Sequence, residues 1–258
     1  MMNTADTGLA ISALLKSFRM STASTEMPKR LLDAGHHDAM EVVCEVLEAE
    51  RDDRQERRVQ RLRKASRLPP GKTFDTYDLT RLPHPLVHTL HELRRGEFAD
   101  RAANILAFGL PGTGKTHAVC ALGHELVQAG RPVLFAPTFK LVQNLLAAKR
   151  DLELPRALRK LDKYDVLILD DIGYVKQSPE EIEVLFTLLA ERYERRSVVI
   201  TSNLVFSEWD QIFQNPMTTA AAIDRLVHHS VILEFAVSSY RTEQRNPELD
   251  ASSVEGSS

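Results

Sequence analysis

Apolar and polar positions divide the chain into two textures. Up to about residue 70, apolar residues recur at helical spacing, as in Leu14, Leu15 and Phe18, then Leu31 and Leu32, then Val42, Val43, Val46 and Leu47. No strand-like alternation interrupts them, so this region predicts helices only. From about residue 100 short apolar runs take over: NILAFG (104–109), PVLFAP (132–137), DVLILDD (165–171), SVVITSN (197–203) and SVILEF (230–235). Short runs without alternation are the mark of strands buried on both faces. Helical periodicity fills the gaps at 114–129, 138–149, 179–195 and 217–228, long enough for right-handed crossovers. The expectation is an α/β fold, a five-stranded parallel sheet with helices on both faces, preceded by a helical domain. Where the textures meet, RLPPGKTFDTYDLTRLPHP breaks helical periodicity with Pro, Gly and Thr. The predicted organisation is therefore an N-terminal helical arm at 1–70, a linker and lead-in at 71–100, a core at 101–242 and a tail at 243–258. The tail carries no packing signal and is expected to be disordered.

Bulk properties narrow the picture only a little. Cys44 and Cys120 stand far apart, with no CxxC or neighbouring His spacing, which points to a reducing compartment and away from a zinc site. No run of about 18 apolar residues exists, and the opening MMNTADTGLA lacks the basic-then-apolar order of a secretion signal; a cytoplasmic protein with no membrane partner is expected. The net charge of −3 conceals a segment, Arg51 to Arg67, with eight basic residues against three acids. That excess suits contact with a nucleic-acid backbone. The interspersed acids equally suit a solvated helix laced with i,i+4 ion pairs. His36 and His37, His228 and His229, and His84, His88 and His91 show no Cys or carboxylate partner at ligand spacing and read as ordinary histidines. Trp209, in FSEWDQIF, reads as packing for a short amphipathic helix.

The chemistry concentrates in FGLPGTGKTH, residues 108–117. Gly109, Gly114, Lys115 and Thr116 fit the phosphate-loop pattern and lie between a strand and a helix, as the mechanism requires. Glycines let backbone N–H groups wrap phosphate oxygens, and the helix N-terminus adds its positive dipole end. The residues expected to hold the nucleotide are Gly109, Pro111, Gly112, Thr113, Gly114, Lys115, Thr116 and His117, with ATP and Mg²⁺ as occupants. Lys115 reaches the β and γ phosphates, and the Thr116 hydroxyl holds Mg²⁺. In DVLILDDIGY, Asp170 and Asp171 end a strand expected to lie beside the loop, at the edge where open α/β sheets bind ligands. Asp170 is expected to hold Mg²⁺ through water, and Asp171 to orient and deprotonate an attacking water. Asn203, ending SVVITSN, is expected to position that water or sense the γ-phosphate, although Ser-Asn at a strand end also serves as a turn or cap.

These residues resemble a known family. VLEAERDDRQERRVQRLRKA, GLPGTGKTH, LILDDIGY, LLAERYERRSVVITSNLVFSEW, AAIDRLVHHSVILEF and SYR are similar, over nearly the whole chain, to the IstB-like ATP-binding proteins. These are helper ATPases of insertion-sequence transposition, in the AAA+ class of P-loop NTPases near DnaC and DnaA. The resemblance implies that Arg225, in IDRLVHH, is an arginine finger offered to the ATP of a neighbouring subunit. It implies that Arg241, in SYRTE, contacts the nucleotide of its own subunit. It further implies largely nonspecific binding to double-stranded DNA, ATP-dependent homo-oligomerisation, a transposase as partner, and no separate C-terminal lid domain. Lys140, Lys149 and Arg150 are candidates for a DNA track in such an assembly. Asp171 stands where many AAA+ proteins carry Glu, which places the expected base one methylene shorter and predicts slow hydrolysis. Three alternatives stay open: a DnaC-type helicase loader with nearly the same core, a non-hydrolysing ATP-binding scaffold, and a small-molecule kinase, for which the region after the sheet is short.

Overall fold

The computed structural model describes residues 4–173, 178–209, 212 and 216–237. Arg241 and the 243–258 tail lie outside the described residues. The chain forms two compact units, residues 1–61 and 62–258.

The first unit contains α1 (Thr4–Ser17), α2 (Ser21–Asp33) and most of α3 (His37–Ser66), a long helix that continues into the second unit. Ile11, Leu14 and Leu15 of α1 close a small core with Met40 and Cys44 of α3. Val42 and Val46, apolar positions at helical spacing, instead face water. Along α3 the arginines pair with nearby acids: Arg54 with Glu50, Arg51 with Glu48 and Asp52, and Arg57 with Glu50 and Asp53.

In the second unit, α4 (His84–Leu93) and the single turn α5 (Glu97–Asp100) precede the sheet. The strands are β1 (Asn104–Gly109), β2 (Val133–Pro137), β3 (Val166–Ile172), β4 (Ser197–Ser202) and β5 (Ser230–Phe235). They are joined through α6 (Lys115–Gln128), α7 (Thr138–Arg150), α8 (Leu154–Leu161), α9 (Pro179–Arg192) and α10 (Pro216–Val227). All neighbouring strands are parallel, in the order β2-β3-β4-β1-β5. As expected, the carboxyl end of β3 lies beside the phosphate loop, where Thr116 Oγ1 donates to Asp170 Oδ1 at 2.8 Å, although β3 does not pair with β1, the strand that leads into the loop. β4 runs between them, because strand order depends on crossovers that local periodicity does not record.

Alternation within each strand assigns its two faces. Leu106 and Phe108, Leu134 and Ala136, Leu167 and Leu169, and Val198 and Ile200 join the core packed by α7, α9 and α10. The opposite face is covered by α6, whose Gly123 backbone approaches Ile168 so closely that a Cβ would come within 2.9 Å of that side chain. Asn104 stitches three elements: its amide donates to Leu226 O at 3.2 Å, and its Oδ1 accepts from Val198 N at 2.9 Å. Arg192, 1% exposed, donates to the carbonyls of Leu161, Tyr164, Asp165 and Ser197. Burial without a carboxylate in contact pulls its pKa down to about 10, so the guanidinium stays charged while tying the ends of α8 and α9 to the starts of β3 and β4. Trp209 is fully buried, with its indole N–H donating to Leu204 O.

Candidate nucleotide site

At the carboxyl edge of the sheet, the loop between β1 and α6 turns on glycines whose conformations exclude other residues. Gly114 has φ +94°, and a Cβ there would meet the Tyr77 hydroxyl at 2.5 Å; Gly109 has φ +153°, and its Cβ would lie 2.7 Å from Phe235 O. The loop therefore passes under Tyr77 and against β5 with no room for a side chain. It opens α6, whose first N–H groups point outward from a positive dipole end.

The functional side chains form one hydrogen-bonded series. Lys115, 6% exposed, donates to Gly109 O at 2.7 Å, Leu110 O at 2.8 Å and Asn203 Oδ1 at 2.8 Å. The Asn203 amide donates onward to Asp171 Oδ1 at 2.9 Å. Lysine only donates and carboxylate only accepts, so this pair dictates which way the Asn203 amide faces. Asp171 N–H donates to Thr201 Oγ1, and that hydroxyl donates to Asp170 Oδ1, each at 2.8 Å. The same carboxylate oxygen accepts from Thr116 Oγ1 at 2.8 Å.

A break in the β3–β4 register makes this possible. The pairing slips between Leu169 and Ile172, Asp171 takes a left-handed φ of 63°, and the Thr138 hydroxyl at the start of α7 holds Asp170 O at 2.9 Å. A bulge here lets two successive carboxylates both face the cleft, where regular pleating would send one to each side of the sheet. A non-glycine residue in this region stores backbone strain, which the surrounding bonds must offset.

The structure thus brings together Gly112, Gly114, Lys115, Thr116, His117, Asp170, Asp171 and Asn203 around one cleft of about 670 Å³. Pro111 also lines it, while the Thr113 side chain is buried behind the loop and bonded to Leu110 O. Arg225 lies elsewhere, on α10, with its guanidinium 4.8 Å from the Phe186 ring centroid of α9 and donating to Ala221 O. Arg241 lies outside the described residues.

Sequence reasoning missed one wall. Lys72, Thr76, Tyr77, Asp78 and Arg81, all from the segment read as a linker, line the cleft. Tyr77 stacks on His117 with ring centroids 4.6 Å apart and planes 16° apart. His117 Nε2 lies 2.9 Å from Thr73 O and 3.2 Å from Thr76 Oγ1. Desolvation, aided by Lys72, holds the His117 imidazole below its ordinary pKa despite the bond to Thr73, so it is neutral near pH 7. The signal was present in FDTYDLTRL, where apolar and aromatic residues interrupt a stretch otherwise read for its breakers. Thr201 was also passed over, as a strand residue with no charge.

The donor set suits a triphosphate with a hard divalent cation. Lys115 and the α6 N-terminus supply positive groups, and Thr116 with Asp170 supplies a hydroxyl and a carboxylate already in contact, the oxygen donors such a cation takes.

Comparison with known proteins agrees with this geometry. Residues 10–247 match the family described as IstB-like ATP binding protein. An insertion sequence ATP-binding protein of Sinorhizobium fredii is 41% identical over 234 residues, 90% of this chain and 78% of its own length. The insertion sequence IS21 ATP-binding protein of Pseudomonas aeruginosa is 36% identical, covering 91% and 89% respectively. Among solved structures, the DnaC helicase loader superposes with a TM-score of 0.55 at 16% identity, over 66% of this chain and 98% of that one. AMPPCP-bound DnaA from Aquifex aeolicus gives 0.53 at 18%, over 67% and 52%. The sheet and its phosphate loop are those of a P-loop AAA+ domain, and the chain belongs to the IstB-like ATP-binding proteins associated with insertion sequences.

Proposed function

We propose that this protein is an ATPase that hydrolyses ATP to ADP and phosphate, oligomerises on duplex DNA and assists a transposase in target selection or transposition. The observation that carries the hydrolytic part is the continuous series Lys115–Asn203–Asp171–Thr201–Asp170–Thr116. It couples the group that reaches the terminal phosphates to the candidate base through one amide. Lys115 neutralises phosphate charge, Asp171 takes the proton of the attacking water, and Asn203 aligns the two, since a proton acceptor contributes only when held within hydrogen-bond reach. Thr116 and Asp170 would hold Mg²⁺, which supplies electrostatic stabilisation of charge on the phosphate oxygens when bound. The bland alternative for Asn203, a turn or cap, is less favoured because both ends of its amide are engaged across the cleft.

Arg225, away from its own cleft, is placed in our reading against the ATP of a neighbouring copy, and Arg241 against the nucleotide of its own subunit. The arm at 1–70 would contact DNA and partner, ahead of a lead-in at 71–100 and an ATPase core at 101–242. Two regions favour DNA. The end of α3 carries Arg58, Arg61, Arg63 and Lys64 within seven residues. A groove of about 500 Å³ beside the edge strand β2 is lined by Arg67, Lys140, Lys160 and Tyr164, and among the described residues no carboxylate lines it. Lys149 and Arg150 pair with Glu183 and Glu180 and contribute less. The insertion-sequence names of the relatives favour a transposase as the partner over the helicase of a DnaC-type loader.

The test is phosphate release against protein concentration, with and without duplex DNA. Steeply concentration-dependent release stimulated by DNA is expected. Release proportional to protein and indifferent to DNA would instead indicate a kinase-like or solitary nucleotide-binding protein.

A further inference from the structure

On the edge of the sheet opposite the nucleotide cleft, two turns meet. The first follows α9 and carries Tyr193 and Glu194; the second follows α10 and carries His228 and His229. Glu194 Oε1 lies 4.0 Å from His228 Nδ1 and 3.8 Å from His229 Nε2. One candidate ligand atom from each of the three lies within 4.8 Å of the others, and this is the one such His and carboxylate group among the described residues. We propose that Glu194, His228 and His229 bind a divalent transition-metal ion, with Zn²⁺ as the best fit.

Two imidazoles and one carboxylate suit Zn²⁺ far better than Mg²⁺ or Ca²⁺, which take oxygen donors. Tetrahedral coordination with bonds near 2.0–2.2 Å places ligand atoms about 3.3 Å apart, so the Glu194 pairs must close by about 0.5–0.7 Å and the two imidazoles by at most about 1.5 Å. The side chains are 54–56% exposed, and rotamer adjustment of that size costs little at such positions. A side-chain contact also joins the two turns, Tyr193 Oη lying 3.2 Å from His228 Nδ1; ligation through that nitrogen displaces the phenol, since one lone pair serves one partner. Three protein ligands leave a fourth position for water or for a group from another molecule.

The ion ties the turn after α9 to the end of α10, the helix that also carries Arg225 one turn earlier. Binding therefore steadies the helix that bears the proposed finger. The metal site itself does not rest on the hydrolysis reading and stands or falls separately.

The experiment uses the full-length, tag-free chain with Mg²⁺ in excess to occupy oxygen-ligand sites. Co²⁺ is titrated by visible absorption, Zn²⁺ by calorimetry, and melting is followed with and without Zn²⁺. One equivalent of Co²⁺ with the absorption of a four-coordinate site, displaced by Zn²⁺, is expected. His228→Ala, His229→Ala and Glu194→Gln should each weaken binding roughly tenfold or more and abolish the Zn²⁺-induced rise in melting temperature. Without metal their melting should match the wild type, because the three groups are exposed. No stoichiometric binding by the wild type, or equal binding by the three variants, overturns the proposal and leaves an ordinary His–Glu ion pair.

Discussion

Replacing Thr201 by Val tests whether the bulge that presents the two aspartates is held by a single hydroxyl. Thr201 is 1% exposed, accepts from Asp171 N–H and donates to Asp170 Oδ1, both at 2.8 Å. Valine keeps the shape and removes both bonds. Leaving the partly buried Asp171 N–H without an acceptor costs at least about 1 kcal/mol, and losing a hydrogen bond to a charged group costs about 1.5–3 kcal/mol. The combined loss is roughly 3 kcal/mol or more. For a unit of this size each kcal/mol lowers the melting temperature by about 2–4 °C, so the sheet-bearing unit should melt roughly 6–12 °C earlier. Thr201→Ser, which retains the hydroxyl, should recover most of the difference. Thermal unfolding by circular dichroism measures it, and phosphate release on the same samples should fall with the loss of the Asp171 backbone position. A valine variant melting within a degree or two of the wild type, or a serine variant as unstable as the valine one, would refute the reasoning.

Three further outcomes are expected. Asp171→Asn should leave nucleotide affinity nearly unchanged while lowering turnover by about a hundredfold or more, as loss of a general base does; wild-type turnover would remove Asp171 from that role. Arg225→Ala should bind nucleotide normally yet lose about a thousandfold in the assembly, and mixing it with Asp171→Asn should restore part of the activity, whereas an inert mixture argues against a residue shared between copies. His117 supplies a pH dependence of stability. Its folded pKa lies below the unfolded value of about 6.5 because of desolvation, so the unfolded chain binds the proton more readily. The stabilisation is complete above the unfolded pKa and is lost as pH falls through the folded one. Comparing melting temperatures from pH 7.5 to 5.5, His117→Gln should lose less than the wild type; parallel pH profiles would contradict this.

How much was legible in the sequence depends on how local each cause is. The five strands and four long crossover helices appear within a few residues of their expected places, because apolar runs and helical periodicity are local signals. Helix α8 went unpredicted, since eight residues starting Leu154-Pro155 give two turns and little periodicity. The bulge at Asp170 and Asp171 left no trace in the pattern, because the strain of Asp171 is offset by Thr138 and Thr201, which are distant in sequence. The strand order and the wall built by Tyr77 were hidden for the same reason. Glu194 stands 34 residues before His228, a separation at which ligand-spacing rules are silent. Conversely, α3 shows the ion pairs that the arginine-rich segment predicts, at Arg51, Arg54 and Arg57.

The central claim, that this cleft grips a triphosphate with its magnesium through Lys115, is tested most directly by titrating a fluorescent ATP analogue with Mg²⁺ into the wild type and Lys115→Ala. Saturable binding of one analogue per chain that is lost in the variant, with melting showing both folded, is the predicted result. Equal affinity in the two proteins, or no binding by the wild type, would contradict it.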